Sequence, residues 1–196
     1  RIVVATCGFK IREVTFRNGI KATFIVHNYR ELDRLDRYET KEPETLEWIE
    51  NEISSGDVFF DVGANIGFFA LLGARIADVE GRVYAFEASP HIAGLLKENA
   101  RLNQFQNIHI IPSAVSDVLG GVAFYESPAE KFGMGSLAPQ FNAASLRVES
   151  ITLDEVVRRE GIEEVNLIKV DVEGYEAAVF KGASVLLEQQ SPVLIF

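Results

Sequence analysis

The most informative segment of the chain is Phe60-Asp61-Val62-Gly63-Ala64-Asn65-Ile66-Gly67-Phe68-Phe69. An apolar run, Val58-Phe59-Phe60, leads into it, and a helical pattern of apolar residues follows Gly67. A buried strand, a glycine turn and a helix in this order bring backbone N–H groups and a positive helix end against a ligand in α/β sheets. We therefore predict a ligand on the turn, where Gly63 permits the tight bend and Gly67 permits close approach of helix and ligand.

The spacing of the turn indicates the kind of ligand. A nicotinamide-binding loop reads G-x-G-x-x-G, whereas this turn reads D-x-G-x-N-x-G, with Asp61 closing the strand and Asn65 in place of a second glycine. A carboxylate so close would repel a pyrophosphate but attract an ammonium group. A ligand with an amino-acid end and a nucleoside end fits better, and S-adenosylmethionine is one such ligand. The turn alone leaves other ligands open, because many α/β domains carry one.

A second acidic residue strengthens this interpretation. Residues 82–87 read as the next strand, and Glu87 closes it. In nucleoside-binding α/β folds, the acid at the end of the second strand accepts hydrogen bonds from ribose hydroxyls. A carboxylate accepts from both hydroxyls at once, through charge-assisted bonds. We therefore predict that Glu87 binds a ribose.

Composition and charge restrict the class of protein. The 196 residues fit one domain, and an apolar content of 47% with 24% charged residues is that of an ordinary globular protein. No apolar run approaches the ~20 residues of a membrane span. The net charge of −10 and the lack of a basic cluster disfavour a nucleic-acid partner. A single cysteine, Cys7, fits a reducing compartment and predicts a cytoplasmic protein, and the scattered histidines predict no metal site.

The chain divides into two parts by pattern. Residues 1–45 predict an N-terminal β-hairpin and a linker, with Asn18-Gly19 as the hairpin turn. Residues 46–196 alternate β and α, which predicts an α/β fold with a doubly wound, mostly parallel sheet. Further predicted elements are strands at 107–111, 122–125, 147–151 and 165–171, a single helix at 175–187, and a strand at 192–196. Because that last strand would be a bare apolar edge, we expect the final strands of the sheet to be missing from this sequence.

Two acids follow the strand at 165–171. Asp171 closes this strand on the same sheet edge as Asp61 and Glu87, because parallel strands all end on one side. Ligands of open α/β sheets lie at that edge, where the winding reverses. Asp171 could accept a proton from a substrate hydroxyl, orient that hydroxyl, or share a divalent cation with Glu173. The alternative for Glu173 is a purely structural role at the N-terminus of the following helix.

With these residues assembled, the chain resembles the FkbM-type S-adenosylmethionine-dependent methyltransferases, a branch of the Rossmann-like class I methyltransferase fold. The similarity runs from about residue 42 to the C-terminus. It is carried by the segments at 42–44, 56–67, 86–90, 113–117, 150–154 and 168–176. The segments at 56–67 and 168–176 are specific in combination.

The resemblance implies a role for each part of the turn and of the strand ends. Asp171 would lie near the transferable methyl group, and residues 133–137 would form a loop on the acceptor side or a simple surface loop. Asp171 and Glu173 are the predicted catalytic residues. The methionine end of the cofactor would be bound by Asp61, Gly63, Ala64, Asn65 and Gly67. Its ribose would be bound by Glu87 and Ala88, and its adenine by Ser113 and Ala114.

The function predicted from the sequence is methyl transfer from S-adenosyl-L-methionine (EC 2.1.1.-). The resemblance implies O-methylation of a hydroxyl on a sugar, a glycan or a small natural product. Two alternatives stay open. One is a nicotinamide-dependent oxidoreductase, which Asp61 and Asn65 disfavour, and the other is a non-catalytic nucleoside-binding module.

Overall fold

The computed structural model describes residues 2–4, 10–29, 31–33, 35–36, 42–127, 134–139 and 145–196, with residues 2–4 described by their backbone alone. Cys7, on which the predicted compartment rests, lies outside these ranges, as does most of the charged segment before residue 42. The described residues form three sheets and six helices whose bounds are given below, and residues 29, 31–33 and 35–36 are helical as well.

The first sheet is N-terminal and antiparallel, with strands β1 (Ile2–Val4), β2 (Lys10–Thr15) and β3 (Lys21–Val26) in that order. The predicted hairpin is confirmed, with Gly19 in the turn at a φ of +80°, and β1 adds a third strand. Alternate residues of β3 are buried, and Phe24 stacks on Phe68 with 5.9 Å between ring centroids. The N-terminal sheet therefore shares a core with the rest of the chain, and a domain boundary at residue 45 stays a prediction.

The central sheet is parallel and carries the predicted winding. Its strands are β4 (Val58–Val62), β5 (Arg82–Phe86), β6 (Ile108–Ile111), β10 (Leu167–Val170) and β11 (Val193–Ile195), in the order β11-β10-β4-β5-β6. The order confirms a doubly wound sheet whose winding reverses between β4 and β10. Every residue of β4 and β10 is buried, because both faces of the sheet are covered.

Two layers cover the central sheet. Helices α1 (Pro43–Glu52), α2 (Phe68–Ala77) and α3 (Pro90–Leu102) pack with the N-terminal sheet on one face. Helices α4 (Leu153–Glu160), α5 (Glu176–Lys181) and α6 (Ser184–Gln190) pack on the other. Neighbouring residues of one strand belong to opposite layers, so that Phe59 faces the first layer and Phe60 the second. The described part of the chain contains no helix that is both long and apolar enough to cross a membrane.

A small third sheet lies beyond the regular alternation. It contains β7 (Ala114–Val115), β8 (Gly120–Phe124) and β9 (Leu146–Ile151), in the order β7-β9-β8. The strands predicted at 122–125 and 147–151 correspond to β8 and β9, with shifted ends. Phe124 of β8 belongs with Ala114 and Val148 to a small buried cluster, against which Ala88 and Leu137 pack. The small sheet is thereby joined to the segments that follow β5 and β6.

The prediction of a single helix at 175–187 is wrong, because the structure has two helices there, α5 and α6. Gly182 lies so close to the carbonyl oxygen of Ser116 that a β-carbon would overlap it. The carboxylate of Asp154 accepts hydrogen bonds from the N–H groups of Val185 and Leu186, at 3.1 and 2.9 Å. A side chain of α4 therefore caps a new helix where the 3.6-residue pattern predicts continuation.

Candidate active site

A cavity of about 350 Å³ opens at the carboxyl ends of the central strands. The segments that follow β4, β5, β6 and β10 form its walls, together with residues of the small sheet and of 135–137. Most of the predicted site residues line it: Gly63, Asn65, Glu87, Ala88, Ser113, Ala114, Asp171 and Glu173. Three others, Asp61, Ala64 and Gly67, do not line it.

The glycine turn is held mainly by backbone hydrogen bonds. The N–H groups of Gly63 and Ala64 both donate to the carbonyl of Phe86, at 3.0 and 2.9 Å. Gly63 has a φ of +79°, and a β-carbon there would overlap the carbonyl oxygen of Asp171. Glycine is therefore required at this position because the ends of β4 and β10 approach closely.

Gly67 serves the packing of helices. Its φ is +92°, and a β-carbon there would overlap the side chains of Leu96 and Leu71. The residue begins α2 without a side-chain cap. The sequence predicts that Gly67 lets helix and ligand approach, whereas its close neighbours in the structure are leucines of α2 and α3.

Glu87 is a buried carboxylate on the cavity wall. Its two oxygens accept hydrogen bonds from the N–H groups of Asn65 and Ser89, at 2.9 and 2.8 Å. Burial raises the pKa of Glu87 to about 7, although the two N–H donors oppose this rise. A carboxylate has about four lone-pair sites, so it retains acceptor capacity for donors in the cavity.

Asp61 lies beneath the cavity. Its side chain is fully buried, and its Oδ1 is 3.3 Å from the Nζ of Lys169. The Lys169 side chain is itself only 4% exposed, and its Nζ lies 5.1 Å from the centroid of the Phe69 ring. Burial lowers the pKa of Lys169, but the charges of Asp61 and Asp171 outweigh it and raise the pKa above its ordinary value. Lys169 is therefore a buried cation between two carboxylates.

Asp171 and Glu173 lie together on the cavity wall after β10. The Asp171 side chain is 40% exposed, and its Oδ2 is 3.9 Å from the Nζ of Lys169. Glu173 has a φ of +51°, and its carbonyl accepts a hydrogen bond from the Ser136 hydroxyl at 3.0 Å. Residues 135–137 therefore reach the cavity beside Glu173, while residue 133 of the predicted loop lies outside the described residues.

Sequence reasoning missed several residues of the wall, among them Ser89, His91, Glu126 and Tyr175. The Ser89 hydroxyl accepts a hydrogen bond from Ile92 N–H at the start of α3 and donates one to Glu126 at 2.8 Å. The Ser-Pro pair at the start of α3 is a helix-capping signal that could have drawn attention to Ser89. Glu126 carries no such local signal, because it follows β8 in a different sheet.

A metal site is not evident from the acids of the wall. Within the described ranges, no group of three or more His, Cys, Asp or Glu side chains is arranged to hold a metal ion.

Comparison with known proteins decides the family. Residues 61–196 match the model of the methyltransferase FkbM domain. The chain belongs to the FkbM methyltransferase family. The matched region of this FkbM-family chain begins at Asp61, includes the glycine turn, Glu87 and Asp171, and contains every wall residue except Asn28.

Two named relatives are similar to this chain in sequence, at 28–29% identity. The hexuronic acid methyltransferase AglP of Haloferax volcanii is 29% identical over 180 residues, which are 91% of this chain and 71% of the relative. The 31-O-demethyl-FK506 methyltransferase FkbM of Streptomyces tacrolimicus is 28% identical over 160 residues. That match covers 67% of this chain and 61% of the relative.

Solved structures overlap with the FkbM-family chain only in part. A SAM-dependent methyltransferase from Aquifex aeolicus shares 22% identity with a TM-score of 0.39, over 45% of this chain and 47% of that one. The strand order of the central sheet, and not this overlap, defines the fold class described above.

Proposed function

We propose that the protein transfers a methyl group from S-adenosyl-L-methionine to a hydroxyl of a sugar, a glycan or a small natural product. The observation that carries the proposal is the hydrogen bond between Asn65 N–H and Glu87, which joins the glycine turn to the acid of the second central strand. Asp171 lines the same cavity. The single cysteine of the chain supports a cytoplasmic location as part of this proposal.

The wall residues fit this cofactor chemically. Glu87 would accept hydrogen bonds from the ribose hydroxyls, and Ser113 and Ala114 would border the adenine. Gly63 and Asn65 would lie along the methionine end, with Asp171 near the sulfonium. Asp61 would act on this end through Lys169, because its own side chain is buried against that residue. When bound, the cofactor supplies an electrophilic methyl group.

The contribution of the protein to the reaction is mainly positioning. Asp171 would accept the proton of the acceptor hydroxyl as the new oxygen–methyl bond forms and the bond from sulfur to methyl breaks. Its exposure to the cavity leaves the carboxylate accessible to an acceptor. Glu173, beside it, would orient the acceptor through a second carboxylate.

The acceptor class follows from the relatives together with the cavity. One relative is named for a hexuronic acid and the other for a hydroxyl position of a natural product. Carboxylates and small polar groups on the wall suit an acceptor that donates hydrogen bonds from hydroxyls. We therefore place sugars and polyketide alcohols first among acceptors to be screened.

Cofactor binding is tested by thermal unfolding with S-adenosylhomocysteine and with NAD. We expect S-adenosylhomocysteine to raise the melting temperature and NAD to have no effect, because a ligand that binds only the folded state stabilises it. Stabilisation by NAD alone would contradict the methyltransferase proposal and favour a nicotinamide-dependent oxidoreductase.

Catalysis is tested with labelled cofactor and a panel of sugars and polyketide alcohols. Asp171→Asn should reduce transfer at least about 100-fold while retaining affinity for S-adenosylhomocysteine, which is the size expected for loss of a general base. Asp117→Asn, which alters a surface ion pair with Lys181, is the matched control and should leave transfer unchanged. Cofactor binding without transfer to any acceptor would favour the non-catalytic module.

A further inference from the structure

A single buried amide connects the N-terminal sheet to the glycine turn. Asn99 lies on α3 and is completely buried. Its Nδ2 donates a hydrogen bond to the carbonyl of Ile66 at 2.8 Å, and its Oδ1 accepts one from Ile25 N–H at 2.8 Å. Ile25 belongs to β3, whereas Ile66 belongs to the turn between β4 and α2.

The bond to Ile66 acts next to Asn65, which lines the cavity, whereas Ile66 itself does not. Both backbone polar groups of Ile66 are bonded, because its N–H donates to the Asn65 side chain and its C=O accepts from Asn99. Asn65 has a φ of +53°, a left-handed conformation that non-glycine residues adopt at a cost. Since Asn65 also donates its N–H to Glu87, its orientation determines where the proposed ribose site lies.

A neighbouring asparagine makes the same kind of contact without reaching the turn. Asn103 follows the last residue of α3, and its Oδ1 accepts from Thr23 N–H at 2.8 Å. Its Nδ2 donates to the carbonyls of Thr23 and Asn99, at 2.6 and 2.8 Å. Both asparagines therefore accept a hydrogen bond from an N–H group on the outer edge of β3. Of the two, Asn99 also donates a hydrogen bond to the glycine turn.

We propose that Asn99 is a positioning residue of the cofactor site, through which the N-terminal sheet holds the glycine turn in its binding geometry. The inference rests on the proposed function, in that the ligand of the turn is S-adenosylmethionine. Asn99 does not line the cavity, so its effect on the cofactor is indirect. The N-terminal sheet is then a working part of the site.

The test compares Asn99→Asp with Asn103→Asp in the full chain. Each change keeps an oxygen acceptor for β3 and removes the Nδ2 donor, so each leaves one or more buried carbonyls without that partner. The affinity for S-adenosylhomocysteine is measured by calorimetry and the stability by urea unfolding. We expect Asn99→Asp to bind about tenfold more weakly and Asn103→Asp to bind within about twofold of the parent, each affinity being measured on folded protein. Asn99→Asp should lose more stability, because Asn99 is completely buried and Asn103 only partly.

Three results would contradict either the positioning role of Asn99 or the proposed function. Equal losses of affinity in the two variants, or none in Asn99→Asp, would overturn the positioning role. Failure of the parent itself to bind S-adenosylhomocysteine would overturn the proposed function instead.

If Asn99→Asp does not fold, Ile25→Pro is compared with Thr23→Pro, since each removes one outward N–H of the edge of β3. Weaker binding in Ile25→Pro alone supports the proposal, and equal binding overturns it.

Discussion

The ammonium group of Lys169 lies 3.3 Å from the carboxylate of Asp61, directly opposite it in the register of β10 and β4. Neither side chain is exposed by more than 4%. The same ammonium group is 3.9 Å from the carboxylate of Asp171, on the cavity wall. A buried charge pair therefore underlies the proposed site and connects it to the interior of the sheet.

Replacement of Lys169 by methionine should destabilise the fold. The change leaves Asp61 buried without its cation, and breaking a buried pair in this way costs about 3–5 kcal/mol of unfolding free energy. Urea unfolding measures the loss. The double variant Asp61→Asn/Lys169→Met should recover much of it, because no charge is then left unpaired. A single-variant loss below about 1 kcal/mol, the range of exposed pairs, would contradict this account.

Replacement of Glu87 by glutamine should weaken the binding of S-adenosylhomocysteine. Glutamine offers one acceptor oxygen where the carboxylate offers two, and hydrogen bonds to a charged group contribute about 1.5–3 kcal/mol, or roughly tenfold to 100-fold in affinity. Calorimetric titration gives the dissociation constant. Glu98→Gln, which changes an exposed partner of His27, is the matched control. Equal affinity in both variants would show that Glu87 does not contact the ligand.

The raised pKa of Glu87 predicts how stability depends on pH. Because its pKa is about 7 in the folded chain against an ordinary 4.5, the folded state holds this proton more tightly than the unfolded state does. The contribution of Glu87 to stability is therefore largest below about 4.5 and is lost as the pH rises towards about 7. Urea unfolding across this range should show a smaller decline in Glu87→Gln than in the parent, and identical slopes would contradict the shift.

The same ionisation should control ligand binding. Ribose hydroxyls donate more strongly to a carboxylate than to a carboxylic acid, so affinity for S-adenosylhomocysteine should rise as the pH increases through about 7. Besides the N–H groups of Asn65 and Ser89, the charges of Asp61 and Lys169 act on Glu87. Titrations between pH 6 and 8, about one unit on either side of this pKa, should show the rise in the parent and a flat profile in Glu87→Gln.

Gly63→Ala should disrupt the turn, because its β-carbon would overlap the Asp171 carbonyl at a φ of +79°. We expect a loss of about 2 kcal/mol or more in unfolding free energy, from the left-handed backbone and the displaced strand end together. Gly94→Ala is the control, since its β-carbon meets nothing within 4 Å on α3. This change should stabilise the helix by up to about 1 kcal/mol. Similar effects at the two glycines would rule out the close approach of β4 and β10.

Local sequence patterns predicted much of the architecture correctly. The alternation of apolar runs and helical periods leads to the parallel order of the central sheet, and the Asn-Gly turn leads to the N-terminal hairpin. The same patterns failed at residues 175–187. The capping of α6 by Asp154 and the approach of Gly182 to Ser116 are contacts with distant segments, which helical periodicity does not encode.

The part of the candidate site that could be predicted is the part formed by residues at the ends of parallel strands. Glu87 and Asp171 close parallel strands, so they had to lie on the same edge as the glycine turn, and all three line the cavity. The methionine-end role of Asp61 stays a prediction, and its side chain lies against Lys169 in the structure. That contact depends on the register between β4 and β10, which pairs two residues far apart in the chain.

The order of strands and helices, and the edge of the sheet at which the acids collect, follow from local patterns in the chain, because hydrophobic period is a property of neighbouring residues. The partner that each polar side chain meets follows from the packed structure alone. The pairing of Asp61 with Lys169, the contact of Gly67 with leucines and the connection of β3 to the turn through Asn99 all depend on register and helix packing. Those are set by the packing of the whole core, where burial leaves each polar group only the partners that its neighbours supply.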